Sequence, residues 1–93
     1  MLYILNKPCE ESLRQLRVIA SKDDEAAVLF TGDAVFLASS ENLRRFSGMD
    51  IDSFNADKEA VEARILEPDD DVELLDFAGM AALVEDYDHV ITL

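Results

Sequence analysis

Val72 to Leu93, VELLDFAGMAALVEDYDHVITL, decides the fold class. Val72, Leu74 and Leu75 make a short apolar strand, Asp76-Phe77 opens a turn, and AGMAALVE (78–85) is a helical run. Val90-Ile91-Thr92-Leu93 is a second apolar stretch of strand length. Strand, helix and strand in so short a space is the repeating unit of a parallel sheet, in which neighbouring strands need a crossover between them.

The same alternation runs back to the start of the chain. Leu2–Leu5 is continuously apolar and stops at Asn6-Lys7-Pro8, as a buried strand stops at a turn. Ser12-Leu13-Arg14-Gln15 fits a capping box, and Leu13, Leu16 and Ile19-Ala20 then recur on one helical face. Lys22 to Glu25 is a polar connector. Ala26 to Phe30 is a second apolar strand, closed by Thr31-Gly32-Asp33. Ala34 to Ala38 has strand propensity, yet five apolar residues suit a buried helix equally well. Gly48 ends that segment. Met49 to Phe54 alternates like a strand, Ala56 to Arg64 reads as a charged surface helix, and Glu67 to Asp71 is an acidic loop broken by Pro68. The expected fold is therefore α/β: a single three-layer α/β/α domain over 1–93, with a mainly parallel sheet of about five short strands. Fully apolar strands fit a sheet covered on both faces.

Composition narrows the function. Hydrophobic residues make up 49% of the 93 residues, too many for a disordered acidic tail. Apolar runs fall well short of a membrane span, and Leu2–Leu5 is too short for the core of a signal peptide. A lone cysteine forms no internal disulfide and fits a reducing cytoplasm. With 21 acidic against 8 basic residues the net charge is −13, which repels phosphate backbones and argues against direct nucleic-acid binding. The acidity serves either solubility or docking to a basic partner.

Three sequence features together carry a family resemblance. The chain opens on Met1-Leu2 followed by Leu5-Asn6-Lys7, its second apolar strand ends in a Gly32-Asp33 turn, and Leu74-Leu75-Asp76-Phe77 precedes a small-residue helix. In these the chain resembles the DsrH/TusB family, small subunits of bacterial and archaeal sulfur-relay complexes. The resemblance is loose over the whole chain and sharp at its two ends. It implies a short helix over Ala34–Ala38, running on towards Glu41–Phe46. It also implies a cytoplasmic subunit that assembles with itself or with DsrE/DsrF-like subunits, alongside a sulfur-donor or sulfur-acceptor protein. The pathway would pass persulfide sulfur towards thiolation of the tRNA wobble uridine or towards sulfur-compound oxidation. Neither membrane, metal nor cofactor enters this expectation.

Cys9 is the one nucleophile worth argument. It falls between the first strand and the first helix, where ligands gather in open α/β sheets. A helix N-terminus and nearby Lys7 favour its thiolate, whereas Glu10 and Glu11 oppose it. A lone cysteine in a small domain is more often an inert side chain. Some DsrH-type members place a cysteine within the first helix, near where Leu16 or Arg17 stands here, and E-like companions place theirs in a later loop. Cys9 matches neither, so the resemblance implies a structural or docking role ahead of catalysis. Asn6, Lys7, Asp76 and Phe77 do match the family pattern. With Thr31 and Asp33, three of these (Asn6, Lys7 and Asp76) form the expected crevice or interface.

Weaker signals have blander explanations. Asp69-Asp70-Asp71 lacks the alternate spacing and glycine turn of a hard-cation loop. Asp50 and Asp52 suit the wet side of a strand. His89 stands alone, with no ligand or catalytic partner at useful spacing. Gly32, Gly48 and Gly79 are isolated, so no phosphate loop exists. Arg44-Arg45 is the one basic spot. Phe30, Phe36, Phe46, Phe54 and Phe77 read as core. Val90, Ile91 and Leu93 are too apolar for a bare sheet edge, so they are either central or covered by another chain. Three functions compete: an assembling relay subunit, a carrier that loads sulfur on Cys9, and a small-ligand module using the crevice beside Cys9, Thr31 and Asp33.

Overall fold

The computed structural model describes residues 1–22 and 25–93. The apolar runs form strands Leu2–Leu5 (β1), Ala27–Phe30 (β2), Val72–Leu75 (β4) and Val90–Thr92 (β5), with Ser53–Asp57 (β3) between them in sequence. They lie in the order β4-β3-β2-β1-β5 and every neighbouring pair is parallel, so the sheet is wholly parallel.

The order fixes where the helices go. From β1 to β4 the chain steps across the sheet in one direction, and right-handed crossovers then put all the intervening helices on one face. These are Glu10–Ala20 (α1), a 3-10 segment Gly32–Ala38, Ser40–Leu43 (α2), a 3-10 turn Arg44–Phe46 and Lys58–Ala63 (α3). The last crossover returns from β4 past β1, which sends Phe77–Glu85 (α4) to the opposite face. The architecture is thus three layers with an uneven load, one helix on one side and the rest on the other.

Strand alternation divides the core in the same way. Tyr3, Leu5, Val28, Phe30 and Ala56 point into the larger cluster with Leu13, Leu16 and the 3-10 residues Val35 and Leu37. Phe30, Phe46 and Phe54 pack ring on ring there, the Phe30–Phe46 centroids 5.5 Å apart. Leu2, Ala27 and Leu29 point the other way and meet Met80, Leu83 and Tyr87 of the α4 side. Full burial of a residue such as Leu5 or Leu16 contributes about 1.5–3 kcal/mol before ordering entropy.

Several local expectations shift. The strand expected over Met49–Phe54 starts at Ser53 and runs through Asp57, so Asp50 and Asp52 lie in the loop before it. Asn55 is what disguises this strand: its buried side-chain amide donates to the Val28 carbonyl at 3.2 Å, and the strand tolerates it. The helix expected from Ala56 begins only at Lys58, capped by Asp57, whose carboxylate accepts the Glu59 N–H at 3.1 Å. Ser12 is not an N-cap. The helix starts two residues before it, after Cys9, and Ser12 is buried in the first turn. Ala34–Ala38 is helical, as a 3-10 segment. Phe36 and Phe77 are exposed, not core. The connector expected over Lys22–Glu25 falls partly on Asp23 and Asp24, outside the described residues.

Candidate functional site at the carboxyl ends of β1 and β2

Parallel strands end together, so the loops after β1 and β2 share one rim of the sheet. Thr31 is tied to the end of β1: its N–H donates to the Leu5 carbonyl at 2.9 Å, and its hydroxyl reaches the same oxygen at 3.4 Å. Gly32 then turns with φ +52, a left-handed backbone conformation that favours glycine. Asn6, Lys7 and Cys9 follow β1 and are exposed; Thr31 and Asp33 follow β2.

Cys9 occupies the N-cap position of α1 with extended backbone, φ −105 and ψ 149. Its Sγ lies 3.1 Å from the Ser12 hydroxyl. The thiol makes no full capping hydrogen bond, but the first-turn amides lie close enough to favour the anion. The Ser12 hydroxyl foremost, then the Ser12 and Glu11 backbone N–H groups, hold the thiol below its ordinary value. Partial desolvation and the Glu11 carboxylate push the other way without prevailing. An exposed thiol of lowered pKa offers its thiolate to electrophiles from solvent. Ser12 is the neighbour of Cys9 that capping logic hid, although its spacing of three from Cys9 in a first turn places the two side by side.

The remaining expected residues are committed elsewhere. The Asp33 carboxylate accepts from Arg64 Nη2 at 2.8 Å, bridging the end of β2 to α3. Asp76 caps α4, accepting the Gly79 N–H at 2.8 Å. It follows β4, three strand spacings from β1 or about 14 Å across the sheet. The structure therefore gathers Asn6, Lys7, Cys9, Thr31 and Asp33 on one rim and leaves Asp76 apart. Arg45 pairs with Glu10 beside the start of α1, and Arg17 donates to the Arg45 carbonyl at 3.1 Å. Among the described residues no three His, Cys, Asp or Glu side chains converge as a metal site requires. No helix among them is long and apolar enough to cross a membrane.

No family model and no curated protein matches the chain. Among solved structures, the ychN protein from E. coli superposes with a TM-score of 0.74 over 99% of this chain and 97% of that one, at 16% identity. At that identity the likeness shows the fold. That fold is a parallel α/β sheet with helices on both faces, the fold class that the alternating apolar strands and helices predict.

Proposed function

We propose that the chain is a sulfur-relay subunit that works by assembling with itself or with related DsrE/DsrF-like subunits, in persulfide transfer towards tRNA wobble-uridine thiolation or sulfur oxidation. The observation that carries the assembly half is surface chemistry on this fold. No residue of α4 is buried, although eight of its nine residues, FAGMAALV, carry no polar side chain. β5 is an edge strand with Val90 40% exposed, where the sequence demanded either a central place or a cover. The test is pull-down and sizing of the protein from its native host: a defined assembly is expected, and a strictly monomeric, partnerless protein ends the reading.

A second reading has its own support. Cys9 is exposed, occupies the N-cap position of α1 and is held towards its thiolate by Ser12. As a carrier, its thiolate would attack the outer sulfur of a donor persulfide. The Cys9 Sγ–S bond forms, the donor S–S bond breaks, and the donor cysteine leaves as thiolate, with no net redox change. Intact mass after incubation with a cysteine desulfurase and cysteine decides this. A gain of sulfur absent from Cys9→Ser supports the carrier, and no gain on a free thiol rejects it.

A further inference from the structure

One pocket gathers three of the chain's eight basic residues. Glu10, Leu13, Arg14 and Arg17 recur at spacings of three and four, which puts them on one face of α1. Arg45 reaches the same pocket from the 3-10 turn that follows α2. Its volume is about 130 Å³, with Leu13 as the apolar part of the wall.

The arginines are held in place without being used up. Arg17 Nη2 donates to the Arg45 backbone carbonyl at 3.1 Å, a neutral acceptor that ties the turn to α1. Among the described residues no carboxylate lies within ion-pair distance of Arg17. Arg45 pairs with Glu10 through one terminal nitrogen. Arg14 meets Glu11 at 3.4 Å, an exposed contact of the kind that fixes neither side chain. A guanidinium carries five N–H donors in a flat fork, so each of the three keeps donors to spare. The lining therefore sets three guanidinium groups against the one carboxylate of Glu10, a surplus of two positive charges in a chain of net charge −13.

We propose that this pocket binds a small tetrahedral oxyanion with two negative charges, a sulfate or a phosphate group, on Arg14, Arg17 and Arg45. Such a group answers the surplus, and its oxygens suit the forked donors of arginine. Glu10 holds Arg45 while the pocket is empty and yields to a ligand of twice its charge. The acidic surface elsewhere opposes the approach of any anion, so the site selects by contact, and polyanions such as nucleic acid are disfavoured. Neither Cys9 nor assembly enters this site, which stands or falls apart from the relay reading.

Isothermal titration with sodium sulfate, at an ionic strength held constant with chloride, tests it. Wild type binds one sulfate and binds acetate far more weakly. Arg17→Gln and Arg45→Gln each weaken sulfate by about tenfold or more, as loss of a hydrogen bond to a charged group does. Glu10→Gln tightens sulfate several-fold, because the competing carboxylate is gone; a purely structural Glu10–Arg45 pair would give no such gain. A phosphomonoester titrated beside sulfate tells a free ion from one carried on a small molecule: equal affinity points to the free ion, tighter binding to the ester. Circular dichroism confirms folding. Amide NMR shifts of the wild type cover a variant that fails to fold: sulfate should move residues 10–17 and 44–46, and shifts confined elsewhere refute the site. No binding by the wild type, undiminished binding by both arginine variants, acetate bound as well as sulfate, or Glu10→Gln no tighter than wild type overturns the proposal.

Discussion

Replacing Asp76 by Ala removes the cap of α4 and little else, so its cost can be worked from one hydrogen bond. The carboxylate accepts the Gly79 N–H at 2.8 Å and is exposed, which leaves no core packing to lose. Loss of an N-cap of this kind costs about 1 kcal/mol, within roughly 0.5–2. α4 has nine residues, fewer than an isolated helix needs, so it persists only by lying on the sheet. Fraying it uncovers Leu2, Ala27 and Leu29, and the local loss becomes a global one. For a domain of this size the melting temperature should fall by about 4–8 °C per kcal/mol. Asp76→Ser should recover most of that, since a hydroxyl can accept the same N–H. Urea denaturation followed by circular dichroism measures all three proteins. If Ala is as stable as Asp, or Ser no better than Ala, the capping account is wrong. An Ala variant that stays stable but loses assembly would make Asp76 a contact residue instead.

Leu16 has no exposed surface, so Leu16→Ala should destabilise by about 2–5 kcal/mol in the same urea titration. Ile65 is 92% exposed and holds φ +52 just past α3, a conformation that costs a branched L-residue about 1–2 kcal/mol. Ile65→Gly should therefore raise the denaturation midpoint, although the extra freedom of glycine in the unfolded chain offsets part of the gain. The Asp71 backbone N–H, at 2.8 Å, and the Ser40 hydroxyl hold the Asp69 carboxyl below its usual range. A depressed folded value gives stability that is present above about pH 4 and lost as pH falls through the folded pKa. Asp69→Asn should show a shallower loss on acid titration, and an unchanged acid limb would remove Asp69 from the account.

What was legible in the sequence followed from residues whose chemistry had one outlet. Leu2–Leu5 and Ala27–Phe30 are apolar at every position and end at turn residues, as strands covered on both faces do. Thr31-Gly32-Asp33 announced its turn through glycine. β3 was obscured because Asn55 interrupts its apolar pattern, while the Asp residues of Met49–Phe54 imitate alternation in what is a loop. The Ser12 motif misled because a hydroxyl in a first turn serves equally as a cap or as a neighbour to residue 9; Ser12 is the neighbour, at 3.1 Å. Phe77 read as core because aromatic burial is the usual outcome, and only the path of the last crossover shows which side of α4 the sheet occupies. Strand order depends on that same crossover and leaves no local mark. Of the expected crevice residues, Asn6, Lys7, Thr31 and Asp33 lie together at the ends of β1 and β2 and Asp76 lies apart after β4; Thr31 and Asp33 reach that place as ties to Leu5 and Arg64, a pairing that no spacing in the chain encodes.

Cys9 stands between opposed influences, and they differ in how salt treats them. The hydrogen bond from Ser12 is a contact of 3.1 Å, too short for mobile ions to screen. The field of the Glu11 carboxylate acts through solvent at an exposed site and fades as the Debye length shrinks from about 10 Å at 0.1 M to about 3 Å at 1 M. Alkylation at neutral pH follows the thiolate fraction, so Ser12→Ala should slow it equally at low and high salt. Glu11→Gln removes the one carboxylate that raises the thiol and should quicken alkylation at low salt, with the gain vanishing at high salt. Rates that leave Ser12→Ala unchanged, or a Glu11→Gln effect indifferent to salt, would refute this division. The reactivity of Cys9 would then owe nothing to the first turn of α1, and the carrier reading would lose its physical support.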